Sequence, residues 1–310
     1  MKPPTFEYHA PRSVEEALAL LAEHGLDAKL LAGGQSLVPA MNFRLARPAV
    51  LVDLNRIEEL AFIRPVEEGP AAGGVRIGAM TRQRAVERSA LVTERAPLIA
   101  ETMPHVAHPQ IRNRGTFGGS AAHADPAAEI PAVLLAAAAR CRVRGPDGDR
   151  WIPADEFFLG LFATALQPED LLLEVELPGQ GPGTGCAFRE IARRHGDYAM
   201  AGVAATITLD DVGTIERAHL VYLSVGGAPV AAPGAAGSLR GEKPTPDVIA
   251  AAARRAAHEE IEPMEDMHAS AAYRTRLVEI LTRDALHAAA ERARGDRVAN
   301  GGHRRREGDE

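Results

Sequence analysis

Between Pro178 and Gly185 the sequence reads PGQGPGTG, four glycines and two prolines in eight residues. Proline fixes φ and offers no N–H, and glycine is costly to order, so neither a helix interior nor a central strand runs through such a stretch. It divides the chain into two textures. Before it, short apolar runs alternate with helical periodicity, a mixed α and β pattern. After it come CAFREIARR (186–194), MAGVAATITL (200–209) and ERAHLVYLSV (216–225), three strand-like runs separated by turns at His195-Gly196-Asp197 and at Asp210–Gly213. This pattern predicts an antiparallel meander. Helical periodicity then covers roughly 246–260 and 270–294, and strands followed by helices predict an α+β unit. From 293 to 310 the chain is polar and aperiodic, which predicts a disordered tail.

The chain has 310 residues and 46% hydrophobic content, enough for two or three modest domains with real cores. Its formal net charge of −7, with no long basic block before the last few residues, argues against nucleic acid or an anionic membrane as the main partner. The N-terminal stretch MKPPTFEYHAPRSVEEAL lacks an apolar leader core, and no run is long and apolar enough to span a bilayer. A cytoplasmic location, or a peripheral one at the inner face of a membrane, is the expectation. Only Cys141 and Cys186 occur, so this chain's own thiolates cannot build a disulfide framework, an iron–sulfur cluster or a zinc site. Any metal centre belongs to a partner.

Within the first texture, Ser13 followed by Glu16 reads as a capping box, and Gly25 stands where a helix over 13–24 would end. Lys29–Ala32 reads as a strand, Gly33–Ser36 as a turn and Leu37–Leu45 as a short helix; 49–54 is another strand, and Thr81 or an adjacent residue caps a helix running to Arg88. Two glycines between a strand and a helix let backbone N–H groups approach a ligand at the positive end of the helix, a seat for phosphate. The plainer alternative is a tight turn that needs positive φ. A second pair lies in IRNRGTFGGSAAHADPAAEI (111–130), where Gly118-Gly119-Ser120 reads as a turn and Asp125-Pro126 as the cap and first residue of a helix over 126–139. Two such turns suit the several oxygens of a pyrophosphate.

Familiar nucleotide signatures are missing. Neither GGQSL nor GGSAA supplies the G-x-G-x-x-G of a Rossmann turn, the alternating glycines at 179–185 precede a strand, and no Gly-Lys-Ser or Gly-Lys-Thr exists. No G-x-S-x-G supports a serine hydrolase. His105, His108, His123 and Asp125 invite a metal reading, but prolines frame the first two and no further acid–His pair completes a ligand set. His123 is better suited to donate to a phosphate or a carbonyl. RCRVRGPDGDR (140–150) reads as a solvated hairpin.

Taken together, LAGGQSL (31–37), RNRGTFGGSAAHADPAAEIP (112–131), FFLGLFATALQPEDLLLEVELP (157–178) and FREIARRHGDYAMAGVA (188–204) resemble the FAD-binding medium subunit of the molybdenum hydroxylases, the group of the carbon monoxide and xanthine dehydrogenases. The resemblance spans about 1–290 in the family's order. It implies an α+β protein: a two-subdomain FAD-binding fold of the vanillyl-alcohol-oxidase (PCMH) type over 1–55 and 56–178, and a C-terminal α+β domain over 183–292 with a three-stranded antiparallel sheet and helices. It further implies FAD on this chain, a large partner with the molybdenum cofactor, a small partner with [2Fe–2S] clusters, and an assembly that is a dimer of heterotrimers. Electrons would leave to an external acceptor such as quinone, NAD or oxygen, and no side chain here need act as acid or base.

By the same resemblance, Leu31, Ala32, Gly33, Gly34, Gln35, Ser36 and Leu37 lie on the FAD pyrophosphate, while Thr116, Gly118, Gly119 and Ser120 hold phosphates and ribose from the other side. The family's usual motif there is T-I-G-G-N; Phe117 and Ser120 depart from it, and serine keeps a donor at shorter reach. Glu129 matches the family's acid at the nucleotide portion, with Asp125 nearby and better suited to cap a helix; both count with His123 as cofactor-binding candidates, while Val106 and Ala107 fall where backbone faces the flavin and Leu172 at an apolar contact. Arg189 sits where some members have lysine, and Tyr198 in GDYA matches a residue set near the isoalloxazine. A free-standing flavin reductase similar to the UDP-N-acetylenolpyruvylglucosamine reductases, and a flavin-free assembly subunit, are the rival readings. The extra four-cysteine loop of the hydroxybenzoyl-CoA-reductase type cannot be present in a chain with two cysteines.

Overall fold

A computed structural model of the chain describes residues 2–304, with the side chains of 2–296. The fold is α+β. Contacts divide it into two units: one holds the residues up to Ala96 with Val106–Asp125 and Ala138–Pro178, the other Pro97–His105, Pro126–Ala137 and the residues from Gly179.

The first unit opens with strands β1 (Glu7–His9), β2 (Ala28–Leu31) and β3 (Val50–Asp53), which form a parallel sheet in the order β1-β3-β2. Helix α1 (Val14–His24) crosses between β1 and β2. Ser13 Oγ accepts from Glu16 N at 3.1 Å, and Glu16 Oε2 accepts from Arg12 N at 2.7 Å, so the capping pair forms one residue wider than the usual box. Gly25 ends the helix at φ +50° with its N–H on Leu21 O. Val14, Ala17 and Leu21 pack with Val50, Val52 and Leu54, the apolar stripe that the periodicity marked. Helix α2 (Leu37–Asn42) follows β2 and is three residues shorter than its expected end at Leu45. Phe43–Leu45 leave the helix through Arg44, whose φ is +58°.

The rest of this unit is built on β4 (Ile63–Pro65), β5 (Val75–Gly78), β6 (Arg140–Gly145), β7 (Gly148–Pro153) and, beyond the small hairpin β8 (Phe158–Gly160) and β9 (Ala163–Thr164), β10 (Leu171–Leu177). They make an antiparallel five-stranded sheet in the order β4-β5-β10-β6-β7. β6 and β7 turn at Gly145↔Gly148, the hairpin expected around Pro146-Asp147. Central β10 is buried along its whole length, including Glu176, whose carboxylate is held by Arg76 and Arg140 at 2.6 Å each. Helix α3 (Phe117–His123) packs on β5 and β10.

In the second unit β11 (Thr184–Ala192), β12 (Ala199–Leu209) and β13 (Ile215–Leu223) form the expected meander, extended by a short β14 (Val230–Ala231). Helix α4 (Glu129–Ala136) lies on β12 and β13 of this sheet. Helices α5 (Pro246–Arg255) and α6 (Ala271–Arg304) pack on each other, and α6 also covers β11 and β12. Val203, Ile207 and Tyr222 meet Leu281, Leu286 and Ala289 in its core, where the Tyr222 hydroxyl shares a 2.7 Å hydrogen bond with Thr282 Oγ1. The backbone of α6 at Ala289 and Ala293 lies so close to Gly185 that a side chain on Gly185 would overlap it.

Two helix ends depart from expectation, and the contacts group two inner segments differently from the expected domain ranges. Segments Pro97–His105 and Pro126–Ala137, inside the range assigned to the second flavin subdomain, cluster with the C-terminal unit: EIPAVLLA has no polar face to leave in water and buries itself on that sheet. The helix expected over 126–139 starts only at Glu129, because Pro126 and Ala127 form a turn and the Pro126 carbonyl accepts Ser224 N at 2.8 Å. The tail expected from 293 instead continues α6 as far as Arg304. Residues 305–310 lie outside the described part.

Candidate functional site

Parallel pairing of β2 with β3 sets Leu31 beside Asp53, so the loops after both strands emerge at one edge. The crevice beyond the carboxyl ends of parallel strands is where open α/β sheets bind ligands. Here it is a cleft of about 310 Å³ lined by Leu31, Ala32, Gly33, Gly34, Gln35, Val38, Pro39, Asp53, Asn55 and Arg114. Gly34 is at φ +74°, and a Cβ on it would press Leu31 Cδ1 and Val38 Cγ2 at 3.2 Å. The N–H groups of Gly33, Gly34, Gln35 and Ser36 have no acceptor among the described residues, although their carbonyls serve the chain: Gly33 O takes Gln35 Nε2 at 3.1 Å and Gly34 O takes Val38 N at 3.1 Å. Unpaired donors beside the start of α2 favour an anion.

Five side chains that sequence reasoning missed shape the same edge. Asn55 Nδ2 donates to Ala32 O at 2.9 Å and to Asp53 Oδ1 at 2.5 Å. Asp53 Oδ2 accepts the Tyr8 hydroxyl at 2.6 Å, a bond that raises the Tyr8 phenol above its ordinary value. Arg82 Nη2 donates to Asn55 Oδ1 and Nη1 to Arg114 O, both at 2.6 Å. Burial pushes the Arg82 guanidinium below its usual value, and the charge of Arg114 adds to this while Asp53 opposes it. The exposed Arg114 guanidinium has no acidic partner among the described residues.

The second glycine pair is not the open turn expected of it. It forms the first turn of α3, with Thr116 as N-cap and its Oγ1 accepting Gly119 N at 3.0 Å. Gly118 N donates to Ala79 O at 2.9 Å, and a Cβ on Gly118 would stand 2.6 Å from Ala79 Cα. These glycines serve close packing. A Cβ on Gly119 would lie 3.3 Å from Ala32 Cβ, and one on Gly33 would lie 2.6 Å from both Arg114 O and Gly115 Cα, so the two glycine segments are pressed together. Ser120 Oγ makes no hydrogen bond among the described residues.

At the end of α3 the His123 ring packs on Phe162, centroids 5.0 Å apart; burial lowers its pKa, against the pull of Asp125. Asp125 caps no helix, because α4 has Ala128 at its N-cap. Val106 O and Ala107 O both accept from Nη1 of buried Arg112, at 2.7 and 3.0 Å, and Glu87 holds that arginine at 2.8 Å. Ala107 is left-handed at φ +45°. Leu172 is buried in β10 at a bulge in its pairing with β6.

Glu129, Arg189 and Tyr198 belong to the other unit. Glu129 is the buried first residue of α4, and Tyr198 is exposed in the turn between β11 and β12. Arg189 reaches Glu101 at 2.8 Å, and Arg292 takes the same carboxylate at 2.5 Å. Burial alone would raise Glu101, but the hydrogen bonds from Arg292 and Arg189 outweigh it and hold the acid below its ordinary range. Among the described residues no three His, Cys, Asp or Glu side chains gather as a metal site, and no helix is long and apolar enough to cross a membrane.

Residues 4–180 match the family model described as the FAD binding domain in molybdopterin dehydrogenase. The chain belongs to this family. Residues 186–289 match the carbon monoxide dehydrogenase flavoprotein C-terminal domain. This FAD-binding medium subunit is 45% identical over 256 residues to the 6-hydroxypseudooxynicotine dehydrogenase complex subunit alpha of Paenarthrobacter nicotinovorans, covering 83% of this chain and 85% of that one. It is 43% identical over 266 residues to the carbon monoxide dehydrogenase medium chain of Hydrogenophaga pseudoflava, covering 86% and 90%. A solved carbon monoxide dehydrogenase of the same organism, lacking the Mo-pyranopterin moiety of its cofactor, superposes with a TM-score of 0.89 over 94% of this chain and 99% of that one, at 43% identity. The cleft fits the diphosphate of FAD: N–H donors and an Arg114 guanidinium without partners among the described residues favour a multiply charged anion.

Proposed function

We propose that this chain is the electron-transfer subunit of a heteromeric molybdenum hydroxylase, receiving electrons from [2Fe–2S] clusters of a small subunit and passing them to an external quinone, NAD or oxygen. The observation that carries this is the glycine cleft, whose four N–H groups have no acceptor among the described residues, in a chain of the FAD-binding family. Bound FAD supplies the redox chemistry, taking electrons singly and releasing them in pairs. The protein's own part is to bind and orient. Gly33–Ser36 donate N–H groups to the diphosphate, and Leu31, Ala32 and Leu37 fix the loop. Because the N–H groups of Gly118 and Gly119 are spent, the second segment contributes through the free Ser120 hydroxyl, with Thr116 holding its helix start. His123 and Asp125 serve the nucleotide end, and Val106, Ala107 and Leu172 the flavin end.

The metal centres belong to partners. Cys141 and Cys186 are buried, and burial pushes their thiols up to about 12 and about 11, which disfavours the thiolate that a cluster needs. The partners are a large molybdenum-cofactor subunit and a small iron–sulfur subunit, arranged as a dimer of heterotrimers in the cytoplasm or at the inner face of its membrane. Purification of the tagged full-length chain from its native host tests this. The expected product is a yellow complex with two further polypeptides, molybdenum and iron; colourless material that takes up no added FAD overturns the proposal.

A further inference from the structure

Two carbonyl oxygens flank the glycine loop: Ala32 O, at its head, and Arg114 O, which crowds Gly33 from the facing segment. Neither is left bare. Ala32 O is covered by Asn55 Nδ2 and Arg114 O by Arg82 Nη1, while Arg82 Nη2 and Asn55 Oδ1 join the two covers into one chain of hydrogen bonds. The bond from Arg82 fixes which end of the Asn55 amide is oxygen, so its NH₂ must face Ala32. Asn55 also donates to Asp53, the acid on the cleft wall, whose other oxygen is taken by Tyr8.

We propose that Asn55 and Arg82 are positioning residues of the FAD site, a bracket that sets the distance between the two glycine segments and withdraws their carbonyls from the diphosphate. The inference rests on the reading of the cleft as the FAD seat. Arg82 does not line the cleft, so it acts through Asn55 and the Arg114 backbone and not as a phosphate ligand. Its two bonds use two different nitrogens of one planar group. A lysine keeps the charge but cannot span both acceptors in that fixed geometry. Shape and charge are therefore separable by experiment.

The test titrates FAD, ADP and riboflavin into cofactor-depleted full-length chain, for the unaltered protein and for Arg82→Lys, Arg82→Met, Asn55→Ala and the Arg82→Met/Asn55→Ala pair. Arg82→Lys is expected to weaken FAD about 10–100-fold, close to the effect of Arg82→Met, as for lost bonds to a charged donor. ADP, which carries the same diphosphate, weakens in parallel, and riboflavin, which has none, does not. Adding Asn55→Ala to Arg82→Met costs little more, because the bracket is already open. Wild-type affinity in Arg82→Lys, losses that simply multiply, or equal loss for riboflavin would each overturn the inference. Should the Arg82 variants not fold, Asn55→Ala decides by the same contrast of ADP with riboflavin. Failure of the unaltered chain to bind FAD is a separate result that strikes the reading of the cleft itself.

Discussion

The two glycine pairs look alike in sequence and differ in what their backbones do. Gly33-Gly34 bends the chain out of a strand and leaves a row of N–H groups with no acceptor among the described residues. Gly118-Gly119 starts a helix, and both of its N–H groups are consumed, one by Ala79 and one by Thr116. Gly33 and Gly118 both make room for a neighbouring backbone, and the pairs differ in whether their N–H groups are spent within the described residues. The lesson is that glycine marks close approach, and only the hydrogen-bond accounting tells what approaches.

Substitution separates the two roles, and the largest effect is expected at the packing glycine. Gly118→Ala places a methyl 2.6 Å from Ala79 Cα and should lower stability by about 1–3 kcal/mol, as overpacking does. Urea unfolding should show that loss with and without FAD; a loss seen only with FAD would reassign the pair to the ligand. Gly34→Ala comes next. Holding alanine at φ +74° costs about 1–2 kcal/mol with or without FAD, and here a further loss should appear as weaker FAD binding, read by flavin fluorescence. Equal stability loss in the FAD-free and FAD-loaded protein would erase the contrast.

The smallest effect is one of pH, at the end of the helix that the second pair begins. Burial lowers His123 below its ordinary value of about 6.5, so the folded chain binds that proton more weakly than the unfolded chain does. Its contribution to stability is complete above the ordinary histidine value. It declines as pH falls through that value and levels off below the folded one. His123→Gln should flatten this part of a stability–pH curve, and an unchanged slope would show that another group titrates there.

Local rules carried the fold far. The cap at Ser13, the stop at Gly25, the strand–turn–helix at 28–42 and the meander after the linker all follow from spacings within a few residues. The start of α4 was hidden because Asp125-Pro126 is a good local cap signal, overridden when Ser224 claims the Pro126 carbonyl from far along the chain. In the site the glycine loop was legible and its supports were not. Asn55, Arg82 and Arg114 are ordinary polar residues in the sequence. They acquire a role only when β3, the stretch after β5 and the approach to α3 are brought together, which no motif encodes.

The chain passes between its two contact units at Ala96/Pro97, His105/Val106, Asp125/Pro126, Ala137/Ala138 and Pro178/Gly179, so the glycine- and proline-rich linker is only the last of five crossings. A gene fusion cut there would deliver a carboxyl-terminal half without α4 and without Pro97–Thr102, leaving apolar surface of its sheet uncovered. Shuffling between related flavoproteins at the obvious breakpoint should therefore give insoluble hybrids unless those two inner segments are exchanged with it.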